Sequence, residues 1–256
     1  MQSFAYGPGP RHRLDLYEPR GKARGVVVYL YGGGWRSGRR GLYGFLARAL
    51  AARGYRVIVP DYRIFPEVRF PAFVEDAAQA VAWVGSRADG AGEALPLFLI
   101  GHSAGAHIAA LLALDARYLL DAGAAPQLLK GFVGIAGPMS FDPTEWDSTR
   151  PIFSGLPDPE RARPVKLVRP GAPAMLLIHG NRDKTVGLHN SEHLLAAMRA
   201  AGNEANLITL SGVGHVMPLA SFLWAAGWVN SAMRETVRFL DRLSAPAHSA
   251  YLTEQP

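Results

Sequence analysis

The sequence contains no cysteine among its 256 residues, which removes several kinds of chemistry at the outset. Disulfide bridges, zinc–thiolate centres and a cysteine nucleophile are all excluded. Metal and nucleotide signatures are missing as well. There is no H-E-x-x-H motif and no P-loop, and the glycines at 32–34 lack the G-x-G-x-x-G spacing. We therefore predict neither a metal nor a cofactor.

Long apolar runs are also missing. No stretch approaches the roughly 18 apolar residues that cross a membrane. The longest clean runs, such as residues 25–31, have the length of a strand. The first residues lack the basic segment and apolar core of a signal peptide. From these absences we expect a cytoplasmic protein without a membrane span.

Charged residues are few, at 19%, but they are biased towards a net charge of +6. Arginines scattered along the chain carry most of the excess, and the densest cluster is Arg36, Arg39 and Arg40. A nucleic-acid-binding surface usually needs a longer basic stripe or an aromatic-interleaved patch. The 49% of hydrophobic residues is typical of a globular domain. We predict a small-molecule partner and no nucleic acid, and the sequence leaves a homodimer open.

Strand patterns alternate with helical patterns along most of the chain. We predict strands at 12–18, 25–31, 55–60, 95–100, 131–136, 174–179 and 206–210, and helices at 42–53, 71–87, 103–115, 187–201 and 218–243, the last broken near Gly227. This alternation indicates an α/β fold in which a mostly parallel sheet carries helices on both faces. We expect one domain over residues 1–243 and a flexible tail over 244–256.

One stretch, residues 137–173, breaks the alternation. It is rich in proline, aspartate and arginine, and it connects two predicted strands. A connection of this length is either a small cap over a functional site or a long surface loop. The sequence leaves both interpretations open.

The segment Gly101-His102-Ser103-Ala104-Gly105 matches G-x-S-x-G between a predicted strand and a predicted helix. A serine on so tight a turn stands clear of the backbone, and glycines at the flanking positions avoid collisions with neighbouring elements. The helix N-terminus adds partial positive charge where an oxyanion would develop. We predict Ser103 as a nucleophile. The alternative is that Ser103 only caps the helix.

An acyl-transfer site also needs backbone N–H donors for the tetrahedral oxyanion. Ala104, directly after the predicted nucleophile, should supply one donor, and a loop after an earlier strand should supply another. The segment Tyr31-Gly32-Gly33-Gly34-Trp35 is such a loop. Consecutive glycines let a backbone approach a ligand closely. The alternative is an ordinary glycine turn.

These motifs resemble those of the α/β-hydrolase superfamily. Within it they are similar to the H-G-G-G-W type esterases, which include the hormone-sensitive-lipase-like bacterial esterases and the related kynurenine formamidases. The segments 61–63, 65–67 and 70–72 also resemble the Y-R-x-x-P-E-x-x-F-P-A sequence of those families, and we interpret them as structural. The resemblance covers residues 11–243. It implies the α/β-hydrolase fold and an oxyanion hole built from the amides of Gly33, Gly34 and Ala104.

Tyr31 departs from this family pattern, because the family usually has histidine at that position. The donors of the oxyanion hole are backbone groups, so we expect the hole to survive the change. The hydrogen bonds that anchor the loop must differ. We predict Tyr31 and Trp35 as substrate contacts.

The resemblance also implies an acid and a base, which follow the serine in the order acid, then histidine. Asp183 follows a predicted strand at the place where the family carries its acid, and His215 follows the next strand after a glycine-containing loop. His215 would carry protons, and Asp183 would orient its imidazole. The other histidines are interpreted as structural. Three aspartates within the 137–173 stretch are rival acids: Asp142, Asp147 and Asp158.

The predicted function is that of a serine carboxylesterase, which hydrolyses short-chain acyl esters through an acyl-enzyme. The short chain is implied by the family and by the small amount of cap sequence. Kynurenine formamidase and carbohydrate deacetylase activities are alternatives that use the same residues. A non-catalytic receptor on a hydrolase scaffold is a further alternative, although such proteins commonly lack a triad member.

Overall fold

The computed structural model describes residues 1–85, 95–223 and 230–245. Its strands form one eight-stranded sheet in the order β1-β2-β4-β3-β5-β6-β7-β8. The strands are β1 (Gln2–Ala5), β2 (Arg13–Tyr17), β3 (Val26–Leu30), β4 (Arg56–Pro60), β5 (Leu97–His102), β6 (Leu129–Ile135), β7 (Ala174–Gly180) and β8 (Ala205–Leu210). The pairs β1–β2 and β2–β4 are antiparallel, and the other pairs are parallel. The predicted α/β fold with a mostly parallel sheet is confirmed.

Helices pack on this sheet along the described chain. They are α1 (Gly44–Ala51), α2 (Ala72–Gly85), α3 (Ala104–Leu114), α4 (Ala116–Asp121), α5 (Arg150–Phe153), α6 (His189–Ala200) and α7 (Ala232–Ser244). Short 3-10 helices occur at Arg40–Tyr43, Pro126–Leu128, Pro159–Ala162, Pro164–Leu167 and Met217–Phe222. None of the helices in these ranges is both long and apolar enough to cross a membrane.

The centre of the core lies around β3, β5 and α3. All five residues of β3 are buried, as expected for a β-branched strand that is covered on both faces. Every residue of α3 is buried too, and its small residues let the helix approach the sheet closely. Because β3 and β5 are parallel neighbours, the loops after their carboxyl ends lie at the same edge of the sheet.

Several elements differ from the prediction, among them helix α4, which was not predicted. Strand β1 was not predicted, because its four residues are mostly exposed and show no apolar alternation. The predicted final helix over 218–243 is wrong in its first part, since Met217–Phe222 is a 3-10 helix and α7 starts only at Ala232. The predicted break near Gly227 lies outside the described residues, as do residues 86–87 of the second predicted helix and the tail beyond 245.

The stretch 137–173 packs against the loop that follows β3. It contains α5 and two of the 3-10 helices. Its Phe141 ring stacks on the Trp35 ring with 6.0 Å between the ring centroids. Its Phe153 ring meets the Trp35 ring edge-on, with 5.0 Å between the centroids. The Arg36 guanidinium donates a hydrogen bond to the carbonyl oxygen of Ser148 at 2.8 Å. These contacts place the stretch beside the glycine loop.

Candidate active site

Ser103 lies on the turn between β5 and α3 with a strained backbone. Its φ of +52° and ψ of −123° fall in a region that residues other than glycine seldom adopt. The Ser103 amide donates to the carbonyl oxygen of Ile135 at 2.9 Å, which ties the turn to the neighbouring strand β6. The strain is therefore held by the sheet on one side and by α3 on the other.

The flanking glycines are required by close approach of the backbone. A Cβ atom at position 105 would collide with the carbonyl oxygens of Leu30 and Tyr31, and one at position 101 would collide with the backbone of Gly105 and Ala106. A side chain at position 105 would push α3 away from β3, and one at position 101 would push α3 away from β5. The two glycines thus permit the tight turn that exposes the Ser103 side chain.

His215 lies on the loop after β8 and contacts both other members of the predicted triad. Its Nε2 is 2.9 Å from the Ser103 Oγ, and its Nδ1 is 2.7 Å from Oδ2 of Asp183. A carboxylate only accepts hydrogen bonds, so Nδ1 carries the proton when the imidazole is neutral. Nε2 is then free to accept the Ser103 proton, which is the arrangement that a general base needs.

The Asp183 side chain is fully buried and has several donors. Its Oδ1 accepts hydrogen bonds from the amides of Thr185 and Val186, each at 2.9 Å. Burial by itself would raise the pKa of Asp183. The hydrogen bonds from Val186, His215 and Thr185 outweigh burial and hold the pKa below its usual value. Asp183 is therefore an anion at neutral pH.

His102 supports the loop that carries His215. Burial lowers the pKa of His102 to about 4, so its imidazole is neutral. Its Nε2–H donates to the backbone carbonyl oxygen of His215 at 3.0 Å. His102 thus holds the backbone of His215 and does not contact the Ser103 hydroxyl by a hydrogen bond.

His179, which the sequence predicts to be structural, contacts the candidate acid Asp183. Its Nδ1 accepts a hydrogen bond from the Ser191 Oγ at 2.7 Å. The proton of the neutral ring is on Nε2, because Nε2 faces a carbonyl oxygen, which only accepts hydrogen bonds. That nitrogen is 2.8 Å from the carbonyl oxygen of Val186 and 3.3 Å from Oδ2 of Asp183. Burial lowers the pKa of His179 and keeps the ring neutral. The H-G-x-x-D spacing was the available signal for this contact.

The glycine loop after β3 adopts a tight turn with backbone angles that favour glycine. Gly33 has a φ of +140°, and a side chain there would collide with the carbonyl group of Ser37. The Gly33 carbonyl accepts hydrogen bonds from the amides of Arg36 and Ser37, which closes a tight turn. Within the described residues, the amides of Gly33, Gly34 and Ala104 donate no hydrogen bond to the protein. Three donors are thus available to a ligand.

Tyr31 and Trp35, the predicted substrate contacts, are instead packed inside the protein, with exposures of 0% and 4%. The Tyr31 ring lies between Tyr43 and Tyr62. The Trp35 ring meets the rings of His107 and Phe153 edge-on. Neither side chain presents an open face to a substrate.

The rival acids have other partners. Asp142 accepts hydrogen bonds from Thr144, Asp147 pairs with Arg150, and Asp158 caps a 3-10 helix. In the described ranges none of them forms a hydrogen bond with His215. Of the predicted acids, only Asp183 is brought to the histidine.

The fold and the serine turn define the class of the protein, which is an α/β-hydrolase. Comparison with known families gives the particular group. Residues 92–222 match the family described as Serine hydrolase (FSH1), and residues 14–130 match the family described as BD-FAE. The chain belongs to the serine hydrolase (FSH1) family, and the resemblance to α/β-hydrolases is confirmed.

Named relatives are esterases. A probable isoprenylcysteine alpha-carbonyl methylesterase of Oryza sativa subsp. japonica is 32% identical over 240 residues, which cover 84% of this chain and 56% of the relative. Esterase LipC of Mycobacterium tuberculosis is 27% identical over 237 residues, which cover 82% of this chain and 58% of the relative. The chain thus spans a little over half the length of these relatives. Among solved structures, a truncated carbohydrate esterase from gut microbiota superposes with a TM-score of 0.78 at 20% identity, over 95% of this chain and 96% of that one.

Proposed function

We propose that the chain hydrolyses carboxylic esters, with Ser103 as nucleophile, His215 as general base and Asp183 as the carboxylate that orients His215. The observation that carries the proposal is the continuous hydrogen-bond chain from Ser103 Oγ through His215 to Asp183, at 2.9 and 2.7 Å. The esterase names of the curated relatives support an ester as the substrate class.

In the acylation step, Ser103 Oγ attacks the ester carbonyl carbon while His215 Nε2 takes the hydroxyl proton. A C–O bond forms, and the carbonyl oxygen becomes a negative oxyanion. When this tetrahedral intermediate collapses, the bond to the alkoxy group breaks. His215 donates its proton to that oxygen, so the product is a neutral alcohol. The Asp183 anion stabilises the transient imidazolium.

In the deacylation step, water replaces the alcohol. His215 takes a proton from the water, and the resulting oxygen adds to the acyl carbon. The second tetrahedral intermediate expels Ser103 Oγ, which recovers its proton from His215. The carboxylic acid leaves and the enzyme returns to its starting state, so that one ester and one water give one alcohol and one acid.

The oxyanion hole of the proposal consists of the amides of Gly33, Gly34 and Ala104. All three are free of hydrogen bonds to the described residues, and Ala104 also begins α3, whose N-terminal dipole favours negative charge. A single donor of this kind is typically worth about 10²–10³-fold in kcat. The positive φ of Gly33 and Gly34 lets the backbone adopt this loop conformation.

We propose that residues 137–173 act as a small cap and that the acyl chain is short. The support for the cap is its contact with the glycine loop, through the Phe141 and Phe153 rings on Trp35. The Phe141 and Phe153 rings cover the Trp35 side of the loop, which supports a short acyl chain.

The test is hydrolysis of p-nitrophenyl esters from acetate to decanoate by the wild type, Ser103→Ala and the control Ser154→Ala. Ser154 is an exposed serine of the 137–173 stretch. The proposal expects turnover that falls with chain length, is lost in Ser103→Ala and is unchanged in Ser154→Ala. Equal turnover in the wild type and Ser103→Ala would mean that another residue is the nucleophile. No wild-type turnover would reject simple esters as substrates and make N-formylkynurenine the next compound to assay.

A further inference from the structure

The segment from Tyr31 to Arg40, which contains the glycine loop, is tied at both ends to one oxygen atom of the buried Asp61 carboxylate. At its start, the Tyr31 hydroxyl donates to Oδ1 of Asp61 at 2.8 Å. At its end, the Arg40 amide donates to the same Oδ1 at 2.7 Å. The Arg40 guanidinium also donates to Oδ2 of Asp61, at 2.5 Å. Asp61 is 6% exposed, so little water competes for these bonds.

Arg11 connects the same loop at two further points. Its Nη2 donates to the Tyr31 hydroxyl at 3.0 Å and to the carbonyl oxygen of Gly38 at 2.8 Å. Its Nε donates to the carbonyl oxygen of Tyr62 at 2.8 Å, and the Tyr62 hydroxyl donates back to the carbonyl oxygen of Tyr31 at 2.6 Å. A Cβ at position 38 would lie 2.7 Å from the Tyr31 ring, so the loop packs directly on that ring.

The chemistry of the phenol suits this position. Burial, with the neighbouring Asp61 carboxylate second, raises the pKa of Tyr31 well above its ordinary value. The hydroxyl therefore stays protonated, and one oxygen atom both donates to Asp61 and accepts from Arg11. A neutral imidazole would need two different ring nitrogens for these two roles. The Tyr31 hydroxyl therefore joins Asp61 and Arg11 through a single oxygen atom.

We propose that Tyr31 and Asp61 are positioning residues for the oxyanion hole. They hold the two ends of the loop together, so that the amides of Gly33 and Gly34 keep their direction when the oxyanion forms. A displacement of about 1 Å at such a site can cost on the order of 10²-fold in rate. This inference rests on the proposed function, because it assigns the loop the role of stabilising an oxyanion.

The sharpest variant is Tyr31→Phe, which removes one hydroxyl and keeps the ring. Its matched control is Tyr29→Phe, because the Tyr29 hydroxyl is buried in the same aromatic cluster and has no hydrogen-bond partner within the described residues. Both variants would be compared with the wild type for kcat and KM on p-nitrophenyl acetate, for melting temperature, and for inhibition by phenylboronic acid. This boronic acid forms a tetrahedral, negatively charged adduct with a serine oxygen and so reports on the hole itself.

For Tyr31→Phe we expect kcat to fall about tenfold, less than the loss of a whole oxyanion donor. KM should stay within about twofold, because ground-state binding does not use the hole. The Ki of phenylboronic acid should rise by a factor similar to the fall in kcat. Tyr29→Phe should match the wild type in all three. Asp61→Asn keeps one acceptor oxygen but loses the charge that Arg40 pairs with, so a larger fall is expected.

The outcomes separate this inference from the proposed function. If the wild type is inactive, or if Ser103→Ala is as active as the wild type, the function itself has failed. If the wild type is active through Ser103 but Tyr31→Phe retains its kcat and its boronate Ki, the positioning role is rejected. A fall in kcat without a change in boronate Ki, or one matched by Tyr29→Phe, would also reject it. Circular dichroism of every variant would verify that the protein measured is folded.

Discussion

Two loops face each other at the edge of the sheet, and they are held in different ways. The turn of Ser103 is held by backbone crowding, since its flanking glycines leave no room for side chains and its amide is bonded to β6. The loop after β3 is held by side chains that come from distant parts of the chain, above all Arg11 and Asp61. The first geometry depends on steric exclusion and the second on buried, charged hydrogen bonds. The two halves of the site should therefore respond differently to substitution.

The largest effect is expected when the hydrogen-bond chain from Ser103 through His215 to Asp183 is broken. Asp183→Asn would let the side chain donate to His215 and so favour the wrong tautomer of the imidazole. We expect kcat to fall on the order of 10⁴-fold with little change in KM, as in other serine hydrolase triads. Steady-state hydrolysis of p-nitrophenyl acetate measures this effect. Retention of more than a tenth of the wild-type kcat would remove Asp183 from the proposed role.

The steric character of the serine turn can be tested with Gly105→Ala. The new Cβ would meet the carbonyl oxygens of Leu30 and Tyr31, so either β3 or α3 must move. We expect the free energy of unfolding to drop by about 3 kcal/mol or more, as for overpacking in a core. The control is Gly21→Ala, because a Cβ at position 21 has open space around it. Urea denaturation of both variants makes the comparison, and equal stabilities would show that the turn tolerates displacement.

Beside the glycine loop, the buried His107 should make the folded protein less stable at acidic pH. Its Nε2–H donates to the carbonyl oxygen of Ala162, and burial lowers its pKa to about 4 from an ordinary value of 6.5. Between these two pH values the unfolded chain binds a proton that the folded chain does not, so stability falls as the pH decreases from 6.5 to 4.

Each such histidine contributes on the order of 3 kcal/mol at most to this decline. His102 should behave in the same way, since burial also lowers its pKa to about 4. In His107→Gln, which keeps a donor for Ala162, the unfolding free energy should decline less between neutral and acidic pH than in the wild type. Chemical denaturation at a series of pH values checks this, and parallel curves for both proteins would contradict it.

The smallest effect is expected at His179. His179→Phe keeps a ring of similar size but removes the N–H that lies 3.3 Å from Asp183. The same N–H donates to the carbonyl oxygen of Val186, whose amide in turn donates to Asp183. We expect kcat to fall about threefold to tenfold, the size of one lost hydrogen bond. The rate should be normalised to the active sites titrated with a fluorophosphonate, so that misfolded protein does not count. Ser191→Ala, which removes only the hydroxyl that donates to Nδ1 of His179, should lose less activity.

Local sequence patterns predicted most of the strands and helices and part of the candidate site. The G-x-S-x-G segment predicts a strand-to-helix turn because the residues that crowd it are its sequence neighbours and the adjacent strand. Apolar runs predicted β3 and β5, since both are covered on their two faces. Strand β1 escaped prediction because it is short and mostly exposed, and its pairing with β2 is not visible as a local pattern. The start of α7 was misplaced because an apolar stretch continued through the 3-10 helix before it.

What the sequence by itself determined is the order of elements and the residue types at the ends of strands. Together with the resemblance to α/β-hydrolases, that order suggested Ser103, Asp183 and His215. Only the tertiary structure decided what Tyr31 does. The partners of its hydroxyl, Arg11 and Asp61, lie 20 and 30 residues away in the chain. No local pattern encodes a contact between side chains so far apart, and so a residue that the sequence suggested as a substrate contact lies instead inside a buried network of hydrogen bonds.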